Sequence, residues 1–137
     1  MGEPPCFANL LDAQGQMPDR PRVRIQRVYE AAAEDERATR VLVDRVWPRG
    51  MRKEELALDG WARELAPSDE LRRWFGHDPN KWPEFQSRYR RELSGKEVEL
   101  KALLQLARRG GLVLLYSTRD RDLNQAVVLR DVLEESL

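Results

Sequence analysis

The chain has 137 residues, 41% of them hydrophobic and 35% charged, and its 24 basic and 24 acidic side chains cancel. That length fits a single domain able to bury its own core, and the charge balance removes any global pull toward nucleic acid. One cysteine (Cys6) and one histidine (His77) exclude an internal disulfide and leave too few soft ligands for zinc, so neither a metal nor a cofactor is expected.

Residues 1–20 hold Gly2, Pro4, Pro5, Gly15 and Pro18 with little apolar periodicity, which predicts a disordered leader ahead of a domain at 21–137. In Val23-Arg24-Ile25-Gln26 the apolar and polar residues alternate with the period of a half-buried strand. The polar run Glu34-Asp35-Glu36-Arg37 predicts a loop. A second strand is expected at about Arg40–Trp47, ended by Pro48, which lacks the N–H a ladder needs. Helices are expected over Lys53–Leu65 and Ser68–Phe75, divided by Pro67, with Ser68 capping the second. Asp78-Pro79 reads as a cap and first helical position, with a tight turn and a restart near Pro83. Trp82, Phe85, Tyr89 and Leu93 then share one helical stripe. The helical spacing of Trp61, Trp74 and Trp82 suits core packing better than a stacking platform.

A further helix, about Lys96–Arg109, carries Leu100, Leu103, Leu104 and Ala107 on one side and ends at Gly110-Gly111. Leu112-Val113-Leu114-Leu115-Tyr116 is unbroken apolar sequence, as in a strand covered on both faces. A last helix is expected at about Asp122–Glu135. Helical segments between the second and third strands form a crossover, which favours parallel pairing between those two strands. The expected fold class is α/β, with a small mixed sheet of about three or more strands and several covering helices in a single domain. Nothing approaches 18 consecutive apolar residues and no basic-then-apolar start is present, so a cytoplasmic protein without membrane attachment is expected.

Charge is unevenly spread: residues 20–53 carry ten bases and five acids, and 20 of the 24 bases in the chain are arginine. Planar recognition of phosphate or carboxylate and base-composition bias in the source genome both account for such arginine use.

The runs Val41-Leu42-Val43-Asp44-Arg45-Val46-Trp47-Pro48-Arg49-Gly50, Glu64-Leu65-Ala66-Pro67-Ser68 and Trp74-Phe75-Gly76-His77-Asp78-Pro79 resemble the YeaO-like family, grouped as domain of unknown function 488. Trp82, Phe85, Arg88-Tyr89, Leu114-Leu115-Tyr116 and Asn124-Gln125-Ala126-Val127-Val128-Leu129 continue the resemblance in order, over about Arg22 to Glu135. It implies a small bacterial or archaeal cytosolic α/β protein and supplies no established activity or cofactor. Members often carry lysine where Arg119 stands and histidine where Gln125 stands, and the missing imidazole weakens a case for acid–base chemistry at that position.

Ligands of α/β sheets usually bind beyond the carboxyl ends of the strands. Trp47-Pro48-Arg49-Gly50 and Ser117-Thr118-Arg119-Asp120 reach that edge if the strands are parallel. Arg45, Arg49 and Arg119 are expected to converge there on an anion, with Trp47 as a stacking face and the amides near Thr118–Asn124 as the opposite wall. The ligand-binding candidates are therefore Arg45, Trp47, Arg49, Thr118, Arg119 and Asn124. His77 and Asp120 are weak catalytic candidates, and each has an ordinary structural alternative in helix capping or packing. Asp44 and Arg45 point to opposite faces of a strand and must find separate partners, in a buried ion-pair arrangement or at the strand end. No glycine-rich phosphate loop, nucleophile elbow or dinucleotide fingerprint is present.

The sequence thus favours a site for an anionic, phosphate- or carboxylate-bearing small molecule, enzymatic or not. The alternative is a nucleic-acid-binding module using Arg22, Arg24, Arg27, Arg45 and Arg49 with Trp47. A partner-binding or purely structural domain is the third reading, and the oligomeric state is left open.

Overall fold

The computed structural model describes residues 22–30 and 38–137. The expected leader at 1–20 and the loop at 34–37 lie outside those residues. Four strands make one sheet: β1 (Val23–Arg27), β2 (Thr39–Leu42), β3 (Gly60–Trp61) and β4 (Leu112–Tyr116), in the order β1-β4-β2-β3. All pairings are parallel, with Ile25 and Val41 both in register with Leu114. The expected mixed sheet is corrected to a parallel one. β1 and β2 do not pair with each other, because β4 enters between them and aligns both with itself.

The continuous apolar run of β4 is explained by that central place. All five of its residues are buried. Leu112, Leu114 and Tyr116 join Val23, Val41 and Val43 on one face, beneath α3 (Trp82–Leu93), α4 (Glu97–Arg109) and α5 (Gln125–Glu135). Val113 and Leu115 turn to the other face, where Val28, Ala38, Leu42 and Leu56 form a smaller cluster joined by Trp47, Met51 and Leu58.

The expected helix over Lys53–Leu65 is not formed. The chain makes one turn, α1 (Lys53–Leu56), enters β3, and continues into a 3-10 turn at Arg63–Leu65. Ala57 adopts a left-handed conformation (φ 50°) that ends α1. Asp59 then engages Arg40 twice: its N–H donates to the Arg40 carbonyl and its carboxylate accepts from the Arg40 N–H, both at 2.8 Å. Sheet pairing thus overrides helix propensity here. Trp61 accordingly lies on an edge strand, half exposed, and not in a helical stripe.

The second strand is also shorter than the expected Arg40–Trp47: it ends at Leu42, well before Pro48. The helix-end signals of the middle segment agree with the structure. The Ser68 hydroxyl accepts from the Leu71 N–H and caps α2 (Asp69–Phe75). Asp78 caps a 3-10 turn at Pro79–Lys81, after which α3 restarts at Trp82 with Pro83 in its first turn. Phe85, Tyr89 and Leu93 form the buried stripe, and the Tyr89 hydroxyl donates to the Leu65 carbonyl.

Candidate functional site

β2 and β4 run in the same direction, so their carboxyl ends open side by side. The segments that follow them, 43–51 and 117–124, bound a cleft of about 420 Å³. Its remaining wall comes from Pro67, α2 and the turn after it, with Phe85 of α3 and Gln125 of α5. The cleft volume falls in the usual range for small-molecule sites, about 300–1,000 Å³.

Asp44 lies in this cleft, only 8% exposed. The Ser117 hydroxyl donates to one of its carboxylate oxygens at 2.5 Å and the Gln125 amide to the other at 2.6 Å. Burial pushes its carboxyl above the ordinary carboxylate range, and those hydrogen bonds, with the positive charge of Arg72, oppose the shift. The strand before Asp44 leaves the ladder gradually: the Val43 N–H still donates to the Leu115 carbonyl, and the Asp44 carbonyl accepts from the Trp61 indole.

β2 ends at Leu42, so the expected placement of Asp44 and Arg45 on opposite faces of a strand is corrected: both follow the strand and line the cleft, and Arg45 finds partners of its own. Its guanidinium donates to the carbonyls of Pro67 (2.9 Å) and Ala66 (3.4 Å) and lies 3.8 Å from Asp69. It lines the cleft while tying segment 43–51 to the start of α2. Asp44 and Arg45 are therefore not partners, and Asp44 has no ion-pair partner among the described residues.

Trp47 donates its indole N–H to the Met51 carbonyl and meets Trp61 edge to face at 5.6 Å, so its ring is fixed. Arg49 is exposed at the rim, where its carbonyl accepts from the Tyr29 hydroxyl. Arg72 and Arg73 from α2 complete the basic side, and Arg72 also approaches Asp69. Neither Arg49 nor Arg73 has an ion-pair partner among the described residues. Phe75 and Phe85, stacked with centroids 4.4 Å apart, supply apolar wall.

The opposite wall is built locally. One Asp120 carboxylate oxygen accepts from the N–H groups of Asp122 and Leu123, and the Asn124 amide donates to the Asp120 carbonyl. The Asn124 side-chain oxygen then accepts from the Val127 N–H, so α5 starts at Gln125, three residues later than expected. Asn124 and Asp120 are thus engaged in shaping the turn, although Asn124 also lines the cleft.

Of the residues singled out from sequence, Arg45, Trp47, Arg49, Thr118, Asn124 and His77 line this one cleft, whereas Arg119 and Asp120 are not among its lining residues. The expected convergence of Arg45, Arg49 and Arg119 is corrected for Arg119, which is exposed away from the cleft. His77 is exposed in a left-handed conformation (φ 59°), next to Phe75. Ser117, Gln125, Arg72 and Arg73 were not among the expected ligand-binding residues. Ser117 carries a legible signal, being the first polar residue after the buried run of β4. Arg72 and Arg73 carry none, because nothing local places α2 beside the strand ends.

The model of the family described as "Inactive DUF488-N3 subclade" matches residues 22–137. The chain is similar to the Escherichia coli (strain K12) protein "Uncharacterized protein YeaO", 41% identical over 111 residues, covering 81% of this chain and 96% of that one. It is also similar to "Uncharacterized protein Rv3073c" of Mycobacterium tuberculosis (strain ATCC 25618 / H37Rv), 41% identical over 112 residues, 82% of this chain and 93% of that one. No solved structure matches the chain. Among the described residues no helix is long and apolar enough to cross a membrane, and no group of three or more His, Cys, Asp or Glu side chains is placed to hold a metal ion.

Proposed function

The chain belongs to the YeaO-like DUF488 family, within its subclade described as inactive, and on that premise we propose that it binds an anionic small molecule in the strand-end cleft without transforming it. The carrying observation is the charge of the lining: four arginines (Arg45, Arg49, Arg72 and Arg73) against one carboxylate, Asp44. A concave site of that composition attracts phosphate or carboxylate. Arg45 and Arg72 are partly engaged by protein groups, so Arg49 and Arg73 are the contacts assigned to the ligand.

The binding reading is preferred to a catalytic one for two reasons. The family description contains the word "inactive". In addition, the two groups holding Asp44 are a hydroxyl and an amide, neither of which titrates near neutral pH, so no acid–base pair is assembled around it.

The nucleic-acid alternative receives less support. Arg22 precedes the amino end of β1 while Arg45 and Arg49 follow the carboxyl end of β2, at opposite ends of a parallel sheet. Arg27 is also directed inward, donating to the Ser117 and Thr118 carbonyls.

Calorimetry and thermal shift with phosphate, mononucleotides, dicarboxylates and short oligonucleotides, at constant ionic strength, test the proposal. A response selective for one class of small anion and reduced in Arg49→Gln and Arg73→Gln supports it. Binding of oligonucleotides alone, with steep salt dependence, favours the alternative.

A further inference from the structure

The cleft contains an acid that its own arginines do not neutralise. Asp44 is buried, yet among the described residues it accepts only from the neutral donors Ser117 and Gln125. Its neighbour Arg45 is spent on the Ala66 and Pro67 carbonyls and on Asp69, and Arg72, whose positive charge acts on Asp44, is also drawn toward Asp69. A buried carboxylate is costly unless it is paired, and each of its oxygens accepts more than one hydrogen bond. Acceptor capacity therefore remains on a buried part of the lining of a site whose exposed arginines are cationic.

We infer that the ligand is bifunctional, carrying an anionic group for Arg49 and Arg73 and, at its other end, a hydrogen-bond donor that meets Asp44. The ligand class is an amine- or amide-bearing phosphate or carboxylate rather than a simple anion. The same cleft also has apolar lining, Trp47, Phe75 and Phe85, which suits a carbon linker or ring joining the two functions. An ammonium donor would also supply the counter-charge that Asp44 lacks. Burial raises the carboxyl, so donor binding would draw it toward its ionised form.

This inference rests on the anion-binding reading, and matched probes separate the two. Affinities of ω-aminoalkyl phosphates of increasing length are measured by calorimetry against the alkyl phosphates of the same length. The amine lowers the net negative charge, so a site that merely collects anions should bind it more weakly. The expected result is that at one chain length the amine binds about tenfold more tightly, as for one charge-assisted hydrogen bond. That gain should disappear in Asp44→Asn, while Arg49→Gln weakens both members of the pair alike. If alkyl phosphates bind and the amines bind no better at any length, the bifunctional ligand is wrong and the anion site stands. The same series is run with ω-amino and simple alkyl carboxylates, and if no phosphate or carboxylate probe of either kind binds, the anion site itself falls and this inference with it. The comparison in the unaltered protein decides the matter even if Asp44→Asn fails to fold.

Discussion

Two arms of chain reach the same cleft and are held in different ways. The arm after β4, residues 117–124, is held from outside at its start, where Arg27 donates to the Ser117 and Thr118 carbonyls, and from within over 120–124: Asp120 accepts from Asp122 and Leu123, and Asn124 caps the helix it begins. The arm after β2, residues 43–51, depends on distant residues. Arg45 reaches Ala66 and Pro67, the Trp61 indole reaches the Asp44 carbonyl, and the Tyr29 hydroxyl reaches the Arg49 carbonyl. The first arm ends in a turn with its own instructions. The second is a shape imposed by the rest of the fold, so it is the more sensitive to change elsewhere.

The largest effect should come from cutting the remote ties. Arg45→Ala removes charged donors from two backbone carbonyls and should cost on the order of 2 kcal/mol by urea denaturation. A change within error would mean that the arm after β2 holds itself. Asn124→Ala strikes the self-held turn and should cost about 1 kcal/mol, the usual loss for a helix cap. Hydrogen exchange should then rise at the start of α5 and leave residues 43–51 unaffected, and a response in both arms would dissolve the distinction. Tyr29→Phe, which removes one exposed hydrogen bond to Arg49, should cost about 0.5 kcal/mol. Its exchange signature should nonetheless appear around Arg49, some twenty residues away in sequence.

That division also marks where the sequence is legible. β4 can be read because its burial on both faces writes an unbroken apolar run, and α2, α3 and α4 because Ser68, Asp78 and Gly110 mark helix ends. The stretch Lys53–Leu65 misleads because its apolar spacing mimics a helix, while its outcome depends on Arg40, thirteen or more residues earlier, pairing with Asp59. In the site, Arg45, Trp47, Arg49 and Thr118 follow from strand ends alone. Arg72 and Arg73 do not, because their contribution depends on how α2 docks.

Asp44 stands where the two arms meet, and the smallest effect is expected there, at acid pH. Burial raises its carboxyl in the folded state. The stability tied to such an acid is fully present below its unfolded pKa and is lost as pH rises through the folded value. Asp44→Asn, which cannot ionise, should match the parent's Tm at acid pH and exceed it increasingly toward neutrality. A gap that narrows as pH rises would reverse the assigned direction.

The strand order has a consequence for how the chain is born. β4 is the last strand in sequence and the middle strand in space, pairing with both β1 and β2. On a ribosome, β1 and β2 emerge without the neighbour that joins them, and the 69 residues between Leu42 and Leu112 must follow first, a matter of seconds at the ordinary pace of synthesis. Until then only the short β2–β3 pairing is available to the nascent sheet. The cleft, whose far wall follows β4, is therefore among the last features of the molecule to exist, and a chain stalled before Leu112 would present two strands with no partner between them.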